Sequence, residues 1–215
     1  ESDEIVINIR TKGQSLKLLL SASPNYPRIH LTDISRKNPI APPVFCMLLR
    51  KHISSGKISG VEFHNFERII GISIESTNEL GDLTSKKLVI EIMGRHSNII
   101  LLNENKKIID SIKHIDNDIS SVREVMPARP YTPPPAQNKL NPEEMDIHLL
   151  LNQVKLSSGI NLEKCLLNNI KGFSPLLCRE VCHRAAIDGK KPAADLSESD
   201  LMRLKDSLES IIHDI

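Results

Sequence analysis

"MPARPYTPPPAQNKLNP", residues 126–142, carries six of the chain's thirteen prolines. Proline fixes its own φ and donates no backbone hydrogen bond, so neither a helix interior nor a sheet interior runs through such a stretch. It reads as an extended linker or as a strap laid across a sheet. The apolar pattern differs on its two sides. Before it, apolar residues alternate or form short β-branched runs; after it, they recur at three- and four-residue spacing. Strands gathered first and helices second predict an α+β chain, with a mainly antiparallel β domain over residues 1–138 and a helical domain over 139–215.

Within the first part, "EIVINIRT" and "SLKLLLSAS" flank Lys12-Gly13-Gln14, a hairpin signal, and "RIHLTD" reads as a third short strand. Pro42 and Pro43 open a helix near 43–55, with Phe45, Met47, Leu48, Leu49 and Ile53 as apolar positions and Gly56 as its stop. Two strands joined around His64–Phe66 follow. "KKLVIEIM", "NIILLNE" and "KIIDSIKHI" then complete a meander whose last turn is Asn103–Lys106. In the second part, Asn141 is the expected cap of the first helix. "NLEKCLLNNI" forms the second, "SPLLCREVCHRAAI" the third behind Ser174, and "SESDLMRLKDSLESII" the fourth, with Leu201, Leu204, Leu208 and Ile211 on one stripe.

Composition narrows the function classes. The net charge is +1, so no global field attracts nucleic acid, and a polyanion site has to be local. No apolar run approaches the roughly 18 residues of a membrane span, and no signal-peptide pattern opens the chain. The sequence starts at Glu1 directly on a strand pattern, as expected of a fragment of a longer protein. Cys46, Cys165, Cys178 and Cys182 include no CxxC pair. Cys178 and Cys182 fall one helical turn apart beside His183, but two further zinc ligands are not evident, so buried reduced thiols are expected and no metal or cofactor. No phosphate-binding loop, dinucleotide fingerprint or nucleophile elbow is present, so no catalytic residue is assigned and the chain is not expected to be an enzyme.

Four short stretches carry exposed charge. Glu67-Arg68 is either a surface ion pair or a planar fork for phosphate held by its neighbour. In "EIMGRHSN", Gly94 permits a tight turn, Arg95 and His96 project from it, and Ser97 or Asn98 can close it. Lys171, Arg179 and Arg184 flank the junction "NNIKGFSPLLCREV", where a helix start offers N–H groups to an anion. Arg123, Arg129, Tyr131 and Lys139 add basic and aromatic groups at the proline-rich strap, fitting RNA or plain solvent.

Six segments occur in one order: "LLLSASPNYPRIHLT", "PPVFCMLLRKHISSGKI", "FERII", "LVIEIMGRHSNIILLN", "REVMPARPYTPPP" and "IKGFSPLLCREV". Together they resemble the NFACT-N domain of the RqcH family, FbpA-like proteins long called fibronectin-binding, with NEMF as a eukaryotic relative. The resemblance implies ribosome-associated quality control. It implies binding to a large ribosomal subunit that carries peptidyl-tRNA, recruitment of alanine tRNA, and support of C-terminal alanine tailing of stalled chains in the cytoplasm. The implied fold is similar to formamidopyrimidine-type DNA glycosylases: a β-sandwich-like domain followed by a helix–two-turn–helix unit.

Two family motifs map onto this chain. An Asp-Arg pair matches Glu67-Arg68, with Glu for Asp, and a Glu-Ile-Met triplet matches Glu91, Ile92 and Met93. By alternation Glu91 and Met93 share one face, expected to meet RNA or ribosome, while Ile92 faces the core. The implied tRNA- or ribosome-facing set is Glu67, Arg68, Glu91, Met93, Arg95, His96, Lys171 and Arg179. The family's coiled coil and C-terminal NFACT-R domain are absent from this sequence. Two alternatives differ in class: a fibronectin-binding surface adhesin, and a glycosylase-like DNA enzyme. The latter would need an N-terminal proline amine with a neighbouring Glu, and the sequence shows neither.

Overall fold

The computed structural model describes residues 3–35, 37–63, 66–78, 80–135 and 137–214. The fold is α+β with a β-rich N-terminal part. It divides into two compact units, Glu1–His64 with Arg68–Pro135, and Asn65–Glu67 with Ala136–Ile215.

The β-rich unit holds two antiparallel sheets. β1 (Glu4–Thr11), β2 (Gln14–Ser21) and β3 (Arg28–Leu31) form one; β4 (Lys57–Phe63), β5 (Ile69–Thr77), β6 (Leu83–Glu91), β7 (Asn98–Leu102) and β8 (Ile108–Ser111) form a five-stranded meander. Part of the joint expected around His64–Phe66 lies outside the described residues, at His64 and Asn65. Helix α1 (Val44–Ile53) sends Phe45 and Leu49 into a core shared with Leu20 and Ala22 of the first sheet and with Ile70, Ile72, Leu88, Ile90, Ile99 and Leu101 of the second.

The meander also buries its other face. Ile69, Val89, Ile100, Leu102 and Ile108 pack there against Val125. This is why β7 is unbroken apolar from Ile99 to Leu102: these successive side chains point into two different cores, and all five residues of the strand are buried. Each such Ile or Leu contributes about 1.5–3 kcal/mol by leaving water.

The proline-rich stretch supplies the second cover. Its backbone runs beside β8, with Ala128 N–H bonding the Ile108 carbonyl at 2.8 Å, Ile108 N–H bonding the Arg129 carbonyl at 2.8 Å and Tyr131 N–H bonding the Lys106 carbonyl at 2.9 Å. As far as Tyr131 it is a strap laid on the sheet.

The helical unit contains α2 (Ile147–Leu156), α3 (Leu162–Asn169), α4 (Pro175–Arg184) and α5 (Glu198–His213). The α5 stripe Leu201, Leu204, Leu208 and Ile211 is buried with Leu150, Leu166, Val181 and the thiols of Cys165, Cys178 and Cys182. Burial pushes Cys178 up to about 11 and Cys182 up to about 12, so both stay protonated at neutral pH. One expectation fails at α2. Asp146, not Asn141, is its cap, taking the His148 N–H at 2.8 Å. Asn141 instead closes a separate turn, accepting from Glu143, Glu144 and Met145 before the chain re-aims.

Candidate functional site

Arg68 immediately precedes β5 and is exposed. Its guanidinium makes no hydrogen bond or ion pair among the described residues, so its five donors face solvent. Its backbone is fixed: the Ile92 N–H donates to the Arg68 carbonyl at 2.8 Å, extending the ladder that pairs Ile69 with Glu91. The β5–β6 register therefore sets Arg68 directly across from the Glu91-Ile92-Met93 triplet.

The triplet alternates as its pattern requires. Ile92 packs into the core that α1 covers, while Met93 packs into the core beneath the strap. The expectation that Glu91 meets RNA or ribosome on an open face is overturned: its side chain is 0% exposed. Arg123 grips both carboxylate oxygens, with Nη1 donating to Oε1 at 2.9 Å and Nη2 to Oε2 at closer range. The Tyr131 hydroxyl donates to Oε1 at 2.9 Å, and Arg123 also bonds the Thr132 carbonyl. Burial, and then the Glu91 charge, drive the Tyr131 phenol well above its ordinary range. Arg123 and Tyr131 are thus occupied by Glu91, so neither lies free for RNA or solvent. The physical reason is the strap, which converts an outer face into an inner one.

Beyond Met93 the chain turns. Gly94, at φ +57°, starts a short 3-10 turn over Gly94–His96, where a side chain would be strained. The Ser97 hydroxyl accepts the Met93 N–H at 2.8 Å and closes it. Arg95 and His96 project outward, with Arg95 Nε donating to His96 Nε2 at 2.9 Å. Asn98 braces the base of the turn by bonding the Lys113 carbonyl at 2.8 Å and accepting the Lys113 N–H. Lys113 bonds the Ala22 carbonyl in turn. Sequence reading missed this brace, because nothing local marks Lys113 as a partner of Asn98.

The other residues of the predicted set fall in the helical unit. Glu67 does not hold Arg68. Its Oε1 lies 3.3 Å from Lys171 Nζ, and both side chains are largely buried. That oxygen receives no hydrogen bond, so the contact is Coulombic. Lys171 is therefore neutralised and is not the free cation expected at the α3–α4 junction. Gly172 explains the fit, since a Cβ there would stand 3.2 Å from the Phe66 ring. Arg179 is exposed on α4 without an ion-pair partner among the described residues, whereas Arg184 is occupied by Glu180 at 2.8 Å and Asp214 at 3.4 Å. No cluster of metal-ligating side chains forms among the described residues.

Arg68, Arg95 and His96 are thus the outward-facing groups of the β-rich unit's site, with Glu91 and Met93 as its buried footing. The arrangement can bind an anion.

The whole chain, residues 1–215, matches the family described as NFACT N-terminal and middle domains. It is 44% identical over 188 residues to the Rqc2 homolog RqcH of Bacillus subtilis (strain 168), covering 87% of this chain and 33% of that protein. It therefore spans about a third of the length of this curated relative. Among solved structures it is similar to the fibrinogen binding protein from Staphylococcus aureus, with TM-score 0.82, 33% identity and coverage of 100% of this chain and 71% of that one. It is also similar to the N-terminal part of the fibronectin/fibrinogen-binding protein from Streptococcus suis, with TM-score 0.79, 32% identity and coverage of 97% and 74%.

Proposed function

This chain belongs to the family of NFACT N-terminal and middle domains, and from that premise we propose that it is the tRNA- and large-subunit-binding module of a cytoplasmic ribosome quality-control factor that supports alanine tailing of stalled chains. The observation that carries the reading is Arg68: an exposed guanidinium with no partner among the described residues, on a backbone pinned by the ladder. A planar fork held in this way suits a phosphate or a base edge. Exposed Arg95 and His96 widen the same end of the sheet. The module binds and positions; it performs no catalysis. In the helical unit we read the α3–α4 junction as the family's helix–two-turn–helix element, with Arg179 as its outward cation, and the β-rich unit as the glycosylase-like part.

The test is Arg68→Ala in a full-length factor carrying this chain. Alanine tails are expected to disappear. In the isolated chain, affinity for deacylated alanine tRNA should fall, and the slope of log K against log salt should flatten by about one phosphate contact. Arg68→Lys restores only part of the affinity, because an ammonium lacks the fork. Normal tails in Arg68→Ala would overturn the assignment.

The names of the two solved relatives, a fibrinogen binding protein and a fibronectin/fibrinogen-binding protein, support a second reading, binding of fibronectin or fibrinogen. Saturable binding of the intact protein to immobilised fibronectin, undisturbed by competing tRNA, would favour it.

A further inference from the structure

We propose that Arg123 and Tyr131 are positioning residues: they grip the buried Glu91 carboxylate and thereby fix the end of β6, which pairs with the backbone at Arg68 and leads into the Gly94–His96 turn. The inference rests on the tRNA reading above and assigns the strap a part in it.

The geometry forms one chain of contacts. Arg123 engages both Glu91 oxygens and the Thr132 carbonyl, and Tyr131 adds a third bond to the carboxylate. Glu91 pairs across the ladder with Ile69 on one side and Asn98 on the other. The next residue, Ile92, donates to the Arg68 carbonyl, and Met93 bonds Ser97 to close the turn that holds Arg95 and His96. Glu91 is therefore the root from which all three outward-facing groups are held. The side chain of Arg123 is 12% exposed and three of its five N–H donors are taken by these bonds, so it offers little surface to a polyanion. A recognition site keeps its geometry when such supporting groups lock it. The Glu of the triplet then acts without touching RNA, through the strap it anchors.

The composition allows a direct test. The chain has two tyrosines and no tryptophan, so in a Tyr26→Phe background the tyrosine band of the near-ultraviolet circular dichroism reports Tyr131 alone. Arg123→Lys keeps a cation beside Glu91 but loses the fork, and Tyr131→Phe removes only the hydroxyl. Both are mild enough to fold. Affinity for deacylated alanine tRNA is measured across a salt series, with Arg68→Ala alongside.

Arg123→Lys is expected to shift the Tyr131 signal and to weaken tRNA binding about tenfold, within the range of indirect couplings, with the salt slope of the parent. Tyr131→Phe weakens it less, again without a slope change. Arg68→Ala leaves the Tyr131 signal alone and flattens the slope. An altered Tyr131 signal with unchanged tRNA affinity would reduce the triad to a purely structural lock and end the proposal. So would an unchanged Tyr131 signal, or a flattened slope in Arg123→Lys, which would make Arg123 itself a phosphate contact. If Arg68→Ala binds as tightly as the parent, the tRNA reading has failed first and this inference falls with it. If Arg68→Ala fails to bind while both strap variants bind normally, only the positioning role is lost.

Discussion

Glu91 in the β-rich unit and Asp200 in the helical unit have similar partners and opposite consequences. Each accepts at least three hydrogen bonds, cations among the donors. Asp200 takes Lys191 at 2.8 Å, Arg203 at 2.5 Å and the Ser197 N–H at 3.0 Å, completing the capping box at the start of α5. The bond from Lys191, then those from Ser197, hold its carboxyl well below the usual range. Both cations around it stay hydrated, with side chains 37% and 49% exposed. Arg123 beside Glu91 is 12% exposed, and Glu91 itself is fully buried. Asp200 fastens one helix start to residues close in sequence. Glu91 ties strand β6 to groups 32 and 40 positions away. Burial thus separates a local fastener from an anchor for a whole segment.

Breaking the anchor should give the largest effect. Glu91→Ala leaves a desolvated guanidinium and a buried phenol without their acceptor, at a cost of about 3–5 kcal/mol. Urea unfolding of the chain measures it; a loss below about 1 kcal/mol would place Glu91 with exposed pairs. Tyr131→Phe removes one hydrogen bond to a charged acceptor and should cost about 1–2 kcal/mol. It also carries a pH signature. Because the folded phenol is raised, its contribution is complete below pH 10 and is lost as pH rises toward the folded-state value. The stabilities of parent and Tyr131→Phe should converge above pH 10 and stay parallel below it.

The fastener should respond at the other end of the pH scale. Asp200 is lowered from 3.8, so its contribution is complete above that value and declines as pH falls through the depressed folded-state one. Asp200→Asn should melt lower than the parent at neutral pH, with the melting temperatures approaching one another below pH 4. A constant difference down to the lowest accessible pH would mean that charge contributes nothing at this cap. Salt should shrink the Asp200 effect more than the Glu91 effect, because hydrated ions are screened and buried ones are not.

The contrast also marks what sequence can disclose. Alternation in "KLVIEIM" identifies Glu91 and Met93 as sharing a face, and they do share one. What covers that face depends on residues 123–131, which no local pattern connects to β6. Asp200 is the reverse case. Ser197 and Asp200 stand three apart, as a capping box requires, so its backbone partners are legible in the sequence itself. Strand order in the meander follows from short turns between successive apolar runs. The pairing of Arg68 with Ile92 needs the β5–β6 register, which is set at the far end of the hairpin by Asn78, whose side chain caps Leu80 and Asp82. Glu67 departs from expectation for the same physical reason as Glu91: its partner Lys171 is distant in sequence, and the adjacent Arg68 is not its partner.

The smallest expected effect lies in the strap. Ala128 holds φ at +66°, a left-handed conformation that glycine adopts freely and alanine does not. It is exposed, so Ala128→Gly changes little packing. Relief of backbone strain, about 1 kcal/mol, is offset by the similar extra entropy of glycine in the unfolded chain. The net change should stay within about 0.5 kcal/mol. Its coupling to the anchor is more informative. Ala128 is held by its own bond to Ile108, and Ile108 returns one to Arg129, so its conformation does not depend on the Tyr131 hydroxyl three residues on. The double variant Ala128→Gly/Tyr131→Phe should therefore equal the sum of the singles within about 0.5 kcal/mol. A larger coupling would mean that the Glu91 anchor imposes the strain at Ala128, and that strap and anchor act as one element.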